Sequence, residues 1–222
     1  MKDSPMKLSV LDVPSSLMRA ARAGLAGVLA GALLAGCALP ERPVRPLVYD
    51  FGPGGLPDAP ADGAAALQPP LALAEVEAPP ALDGTAVLYR LAYADAQQLR
   101  PYAQARWSMP PAQLVQQRLR EQLGRQGPVL GAADGGGAAR ELRIELEEFS
   151  QVFDAPQQST GLVRLRATLV RTGAGRDRLL AQRSIVVRRA APTADAPGGV
   201  RALTAATDAA VAELARWLQA QP

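Results

Sequence analysis

The sequence predicts an α+β domain of two layers, in which a mostly antiparallel sheet carries two amphipathic helices on one face. Three observations support this fold. Apolar residues alternate with polar ones along several segments, which is typical of half-buried strands. Two other segments repeat apolar residues at helical spacing. Their order is strands, helix, strands, helix, and every apolar side is covered if both helices pack on one sheet face and water covers the other.

The N-terminus precedes this domain and has the pattern of a secretory signal. Residues 23–36 are apolar and uncharged, with Arg19 and Arg22 just before them, which is the pattern of an n-region and an h-region. The run is short for a membrane span. It ends in Leu34-Ala35-Gly36-Cys37, which resembles the lipobox of bacterial lipoproteins.

This resemblance implies that the Cys37 thiol accepts diacylglycerol before cleavage, and that the small residues before it, Ala35 and Gly36, let the chain enter the signal peptidase. An ordinary signal peptide, a buried structural cysteine and an uncleaved apolar span are the alternatives. Lipidation is favoured because the box, the apolar run and the only cysteine coincide. Residues 1–36 are then a signal peptide and residues 37–46 a short lipidated tether. Translation starting at Met18 is an alternative, since Asp3, Asp12 and Pro14 are unusual in an n-region.

The domain itself is predicted over residues 47–222, with an irregular Pro- and Gly-rich loop at 52–70. Alternation and turn residues predict its first strands, and a Ser-Met-Pro-Pro sequence starts its first helix. The elements of this half are strands at Val48–Phe51, Leu71–Glu77, Ala86–Tyr93 and Leu99–Trp107, and a helix at Ala112–Gln126.

The second half is predicted as a strand meander that a helix closes. The strands are Glu141–Phe149 (with an extension to Phe153), Leu162–Arg171 and Leu179–Arg189, and the helix carries the stripe Leu203, Thr207, Ala210, Val211, Leu214, Trp217 and Leu218. Trp107 and Trp217 fall on or beside apolar stripes, so core packing is favoured over a partner-facing role for both.

Composition argues against several classes of function. Basic and acidic residues number 24 and 21 and aromatics make up 4% of the chain, which argues against nucleic-acid binding. The chain has no His and a single Cys, which excludes Ser-His-Asp and Cys-His catalysis and the usual zinc sites. No cofactor or metal is expected.

One carboxylate cluster invites a catalytic interpretation. Glu145, Glu147 and Glu148 lie close in sequence, but cross-strand ion pairs with Arg164 and Arg166 on a wet sheet face explain them better. The Gly-rich segment Gly131–Gly137 lacks the Lys-Ser/Thr of a phosphate loop. The sequence therefore predicts a protein that is not an enzyme.

From Leu71 onward, several segments together resemble the ABC-type transport auxiliary lipoprotein family, which includes the paraquat-inducible protein C type. Val48-Tyr49-Asp50-Phe51 sits where that family has its first strand after the anchor. The other segments are Pro79-Pro80-Ala81-Leu82-Asp83, Leu99-Arg100-Pro101-Tyr102-Ala103, Arg106-Trp107-Ser108-Met109-Pro110-Pro111, Glu148-Phe149-Ser150-Gln151-Val152-Phe153-Asp154 and Arg216-Trp217-Leu218.

The resemblance implies a non-catalytic accessory and docking component of an intermembrane lipid transport system of Gram-negative bacteria. Its expected partners are an MCE-domain protein, an ABC permease and ATPase, and the membrane itself. Ala38 stands where inner-membrane lipoproteins typically have Asp, so the expected location is the periplasmic face of the outer membrane. A homo-oligomer is left open. The alternative function is a structural or assembly lipoprotein of another envelope machine, for secretion or outer-membrane biogenesis.

Phe153 and Asp154 are the candidate partner contacts. Phe149 breaks the inward alternation of Leu142, Ile144 and Leu146, so a β-bulge is expected near it. After such a bulge, Phe153 either lies exposed at the rim, as interface aromatics do, or caps the core.

Overall fold

The computed structural model describes residues 44–54, 69–131, 139–173 and 176–221. Over these residues the chain forms one mixed sheet and two long helices, so the predicted α+β class is confirmed. The predicted signal peptide, Cys37 and most of the predicted loop 52–70 lie outside the described residues. The elements are β1 (Leu47–Tyr49), β2 (Leu71–Leu73), a 3-10 helix (Pro80–Leu82), β3 (Ala86–Leu91), β4 (Asp95–Trp107), α1 (Pro111–Gly124), β5 (Val129–Gly131), β6 (Arg140–Ala155), β7 (Gln158–Arg171), β8 (Arg178–Ala190) and α2 (Ala196–Gln219).

Strand β6 is the centre of the sheet. It is 16 residues long and pairs antiparallel with β7, which pairs antiparallel with β8. Its other side is shared by two parallel partners, β2 near its start and β3 near its end. Beyond β3 come β4 and finally β1, which runs parallel to β4. Among the described strands, β1 and β8 therefore form opposite edges, and β5 forms a short edge beside β2.

A bulge divides β6 into two halves. The register with β7 shifts between Leu146 and Glu148, so the strand gains one residue there. Leu146 is fully buried and Phe149 is 1% exposed, which means that both halves direct their apolar side chains into the core. The predicted bulge is confirmed.

Helix α2 packs on β6, β7 and β8. It begins after Asp195, whose carboxylate accepts a hydrogen bond of 2.8 Å from the Gly198 amide, as an N-cap does. The helix lies very close to β7, because a Cβ on Gly161 would come within 2.6 Å of the Ala202 backbone carbon. The buried stripe of α2 includes Leu203, Ala206, Ala210, Val211, Leu214 and Leu218. None of the described helices is both long and apolar enough to span a membrane.

An aromatic cluster closes the core under β1 and α1. Trp107 is 2% exposed, and its ring centroid lies 5.6 Å from those of Phe51 and Phe149. Core packing of Trp107 is confirmed. Trp217 is half-buried and packs against the same core, so its ring keeps one side toward solvent.

The structure corrects two details of the predicted sheet. The strand predicted at Leu71–Glu77 is only three residues long, and beyond it a single parallel bridge joins Glu77 to Glu145. Strand β5 was not predicted at all. Both short strands pair in parallel, as do β1 with β4 and β3 with β6. The two strands of each of these pairs are separated in sequence by other elements, and such long connections let the chain return in the same direction.

Candidate docking surfaces

Two groups of predicted site residues differ in what the structure says about them. Cys37 and the box Leu34-Ala35-Gly36 lie outside the described residues, so lipidation stays a prediction. Phe153 and Asp154 lie at the end of β6 and can be placed. Three surfaces of the described domain are candidates for docking: the corner around Phe153, the polar face of the sheet and the edge formed by β8.

At the corner, the Phe153 ring is buried. It is 6% exposed and meets the Tyr89 ring edge-on at 6.0 Å, and Tyr89 in turn lies 4.5 Å from the Tyr102 ring. The interpretation in which Phe153 caps the core therefore describes the structure, and the exposed-rim interpretation is wrong. The physical reason is the bulge, which restores inward alternation beyond Phe149. Asp154 is exposed, and its contact with a partner stays a prediction.

A buried polar network lies beside these rings. The Gln151 side chain is fully buried; its Nε2 donates to Ser159 Oγ at 2.8 Å, and its Oε1 accepts from Tyr102 Oη at 2.8 Å. A Cβ on Gly199 would lie 2.0 Å from Gln151 Oε1, so only a residue without a side chain lets α2 approach here. The start of α2 therefore packs directly on this network.

Burial governs the acid–base behaviour of this network. It raises the pKa of the Tyr102 hydroxyl well above its ordinary value, and the nearby Tyr89 and Asp195 raise it further. The hydroxyl is therefore neutral and serves as a hydrogen-bond donor. Sequence reasoning missed the network because Gln151 is a polar residue at an inward position.

The polar face of the sheet carries the predicted cross-strand ion pairs. Glu147 Oε2 lies 2.9 Å from Arg164 Nε, and Glu147 also pairs with Arg166. Glu145 reaches Arg166 at 4.0 Å. These cross-strand ion pairs confirm the predicted arrangement of Glu145 and Glu147 on the polar face of the sheet.

Glu148 behaves differently from the prediction that it faces Arg164 or Arg166. It pairs with Arg90 of β3 at 3.1 Å and accepts a hydrogen bond of 2.7 Å from Ser150 Oγ. The bulge explains this difference, because it places two successive glutamates opposite one stretch of β7. Glu147 pairs with Arg164 and Arg166 of β7, and Glu148 pairs with Arg90 of β3.

Strand β8 is the longest edge among the described strands. It has 13 residues and pairs only with β7. Ile185 and Val187 are buried against α2, while Leu179 and Val186 are 59% and 56% exposed. The strand contains no acidic residue. Its four exposed arginines, which we call the arginine edge, are Arg178, Arg183, Arg188 and Arg189.

A family model provides the deciding comparison. The model of the ABC-type transport auxiliary lipoprotein component matches residues 55–216, which is most of the chain. The chain belongs to this family. The resemblance drawn from the sequence segments is confirmed, and the matched range holds every described strand except β1.

Two solved structures support the same fold for this auxiliary lipoprotein. A protein of Xanthomonas campestris aligns with a TM-score of 0.58 at 20% identity, covering 70% of this chain and 88% of its own. An uncharacterized protein aligns with a TM-score of 0.57 at 16% identity, covering 78% of this chain and 99% of its own. Identities this low bear on the fold alone. No curated protein matches the chain.

The arginine edge was not predicted from the sequence, although a signal for it exists. In the meander, β8 is the last strand, and the helix that follows packs back onto the sheet rather than adding a strand. A last strand that holds four arginines and no carboxylate is typical of a solvated edge. Among the described strands of the auxiliary lipoprotein, β8 is the longest one whose outer backbone N–H and C=O groups have no neighbouring strand to bond to.

Proposed function

We propose that this auxiliary lipoprotein is a non-catalytic docking component of an ABC-type intermembrane lipid transport system with an MCE-domain partner. The family match over residues 55–216 carries the proposal. Lipidation of Cys37 anchors the domain at the periplasmic face of the outer membrane, and the residues that follow form its tether. The domain then presents its sheet edge to the transport assembly.

The anchor is tested with Cys37→Ser, with Ala38→Ser as the matched control. Without the thiol no diacylglycerol attaches, so Cys37→Ser is expected to lose both the lipid label and membrane fractionation, while Ala38→Ser keeps them. Palmitate incorporation and membrane fractionation are the measurements. A Cys37→Ser protein that stays lipid-labelled would contradict the anchor.

The membrane is tested at the position that follows the lipidated residue. Ala38→Asp introduces the residue that typically retains lipoproteins at the inner membrane, and Ala38→Ser again serves as the control. We expect Ala38→Asp to move the protein to the inner-membrane fraction. If the wild-type chain already fractionates there, the outer-membrane assignment is wrong.

We place docking on the arginine edge. Its partner is an extended acidic segment of the transport assembly, since an edge strand can accept a further strand through its backbone and its arginines favour an acidic one. Asp154 at the end of β6 stays a predicted contact, separate from the acidic segment on the arginine edge. Two features of the chain support this placement: the length of β8 and the lack of acidic residues along it.

Docking is tested by charge reversal. Arg178→Glu combined with Arg188→Glu is expected to abolish co-purification of the MCE-domain partner from solubilised membranes. Arg120→Glu, an exposed change on α1, is the matched control and is expected to retain it. Recovery of secretion or outer-membrane biogenesis proteins in place of the transport proteins would favour the alternative function.

A further inference from the structure

Strand β1 exposes apolar side chains on both faces of the sheet. Leu47 is 61% exposed and Val48 is 67% exposed. Successive residues of a strand direct their side chains to opposite faces of the sheet, so within the described part of the chain neither face of β1 is covered at these positions. By contrast, β8 exposes Val186 while its neighbours Ile185 and Val187 are buried.

The outer side of β1 also has no strand partner in the part of the chain that the structure describes. From Val44 to Tyr49 the sequence carries one charge, that of the exposed Arg45, and no carboxylate. The three exposed features, two apolar faces and a basic residue, lie within one short stretch. Val44, Leu47 and Val48 are thus a run of exposed apolar residues beside a basic one.

We infer that this stretch, Arg45–Val48, rests on the surface of the membrane that holds the lipid anchor. A bilayer interface surrounds an inserted edge from all sides, so it covers both faces of β1 at once. A flat protein partner would cover one face of the sheet only. Arg45 adds attraction to acidic headgroups, as basic residues next to membrane anchors do.

Chain length brings this surface to the bilayer. The inference rests on the proposed lipidation of Cys37. From there to Leu47 a fully extended chain reaches at most about 36 Å. The anchor therefore keeps β1 close to the lipid surface at a high effective concentration, and a contact too weak to bind a free protein becomes occupied once the chain is tethered.

The experiment uses the lipidated mature protein in vesicles of phosphatidylethanolamine and phosphatidylglycerol that contain nitroxide-labelled lipid. Because Cys37 is the only cysteine of the chain and its thiol carries the lipid, an introduced cysteine is a unique site for an environment-sensitive dye. Leu47→Cys and Val48→Cys place the dye on β1. The matched controls are Leu179→Cys and Val186→Cys, which are 59% and 56% exposed on the opposite edge.

We expect the nitroxide lipid to quench the dye on β1 several-fold more strongly than the dye on β8, with a blue-shifted emission on β1 only. Equal quenching at the two edges, or an unquenched dye at both β1 positions, would overturn the inference. The four positions are exposed, and circular dichroism checks that each variant is folded.

The mass of the mature protein separates this inference from the proposed function. A chain without lipid that stays out of the vesicles removes the anchor, and the membrane contact fails with it. A lipidated, vesicle-bound chain with an unquenched dye on β1 overturns the membrane contact alone and leaves the proposed function in place.

Discussion

Strands β1 and β8, which form opposite edges of the sheet, differ in length, charge and support. Strand β1 has three residues and exposes Leu47 and Val48, while β8 has 13 residues and exposes four arginines. A long apolar edge would invite uncontrolled pairing, whereas arginines keep a long edge soluble and select its partners. The short edge can be apolar because it offers few backbone groups. Length and charge are thus matched at each edge.

The largest expected effect concerns the support of β1. Trp107 pairs with Tyr49 in the β1–β4 register and is 2% exposed. Trp107→Ala should lower the free energy of unfolding by about 3–5 kcal/mol, because it leaves a large cavity. Denaturant unfolding measures the loss, and Trp217→Ala is the control. Because Trp217 is only half-buried, its replacement should lower the free energy of unfolding clearly less. Equal losses in the two variants would contradict the difference in burial.

A smaller effect is expected where α2 supports the β7–β8 side. A methyl group on Gly161 would meet the Ala202 and Leu203 backbone at 2.6 Å, and backbone cannot yield as a flexible side chain does. Gly161→Ala should lower stability by about 1–3 kcal/mol. Gly173→Ala, with no atom within 4 Å of its Cβ position, should change the thermal midpoint little. Unchanged stability in Gly161→Ala would show that α2 shifts freely along β7.

Tyr102 on β4, the neighbour of β1, gives a pH test. Its pKa is raised in the folded protein, so above pH of about 10 the unfolded chain loses this proton while the folded chain keeps it. The stability of the wild type should therefore fall as the pH rises above that value. Tyr102→Phe should cost about 1 kcal/mol at neutral pH, since Gln151 Oε1 loses its donor.

The variant should also lose part of the alkaline decline, which urea unfolding at several pH values measures. A decline identical to that of the wild type would show that other groups cause it. Gln151→Ala removes the same hydrogen bond and keeps the hydroxyl, so it separates the two contributions.

The smallest effect is expected on the arginine edge itself. Arg183 lies 2.6 Å from Glu213 of α2, with side chains that are 44% and 32% exposed. Such a pair contributes about 0–1 kcal/mol to the free energy of unfolding. Arg183→Gln should therefore change the unfolding midpoint very little, and the change should be smaller still at high salt. Arg188→Gln is the comparison. A loss above that range would mean that the edge is held by its charges and is not free to bind.

The sequence predicted the β6–β8 meander well because its alternation is long. The predicted strand Leu162–Arg171 differs from β7 by only four residues at its start. Strand β5 was missed since three residues carry no detectable period. The parallel pairing of β2 and β3 with β6 joins residues far apart in sequence, which local patterns do not encode.

The candidate surfaces were less predictable than the fold. The ion pairs of Glu145 and Glu147 followed from alternation alone. The burial of Phe153 could not be predicted in this way, because it depends on contact with the Tyr89 ring of another strand. The two edges became recognisable only when the strand order was known, because exposure of Leu47 or Arg188 depends on which strands are last.

The bulge in β6 has a consequence for insertions and deletions. Glu147 is the extra residue at the register shift, so a chain without it would have no bulge there. Leu146 and Phe149 would then alternate regularly about Glu148, and both apolar side chains would still face the core. Relatives can therefore differ by one residue here without exchanging the two faces of the sheet. Between Phe149 and Phe153, where the register with β7 is regular, the same change would move the side chains that follow it to the opposite face of the sheet. A one-residue gap at this position is thus compatible with an identical core, although the partners of Arg164 and Arg166 would change.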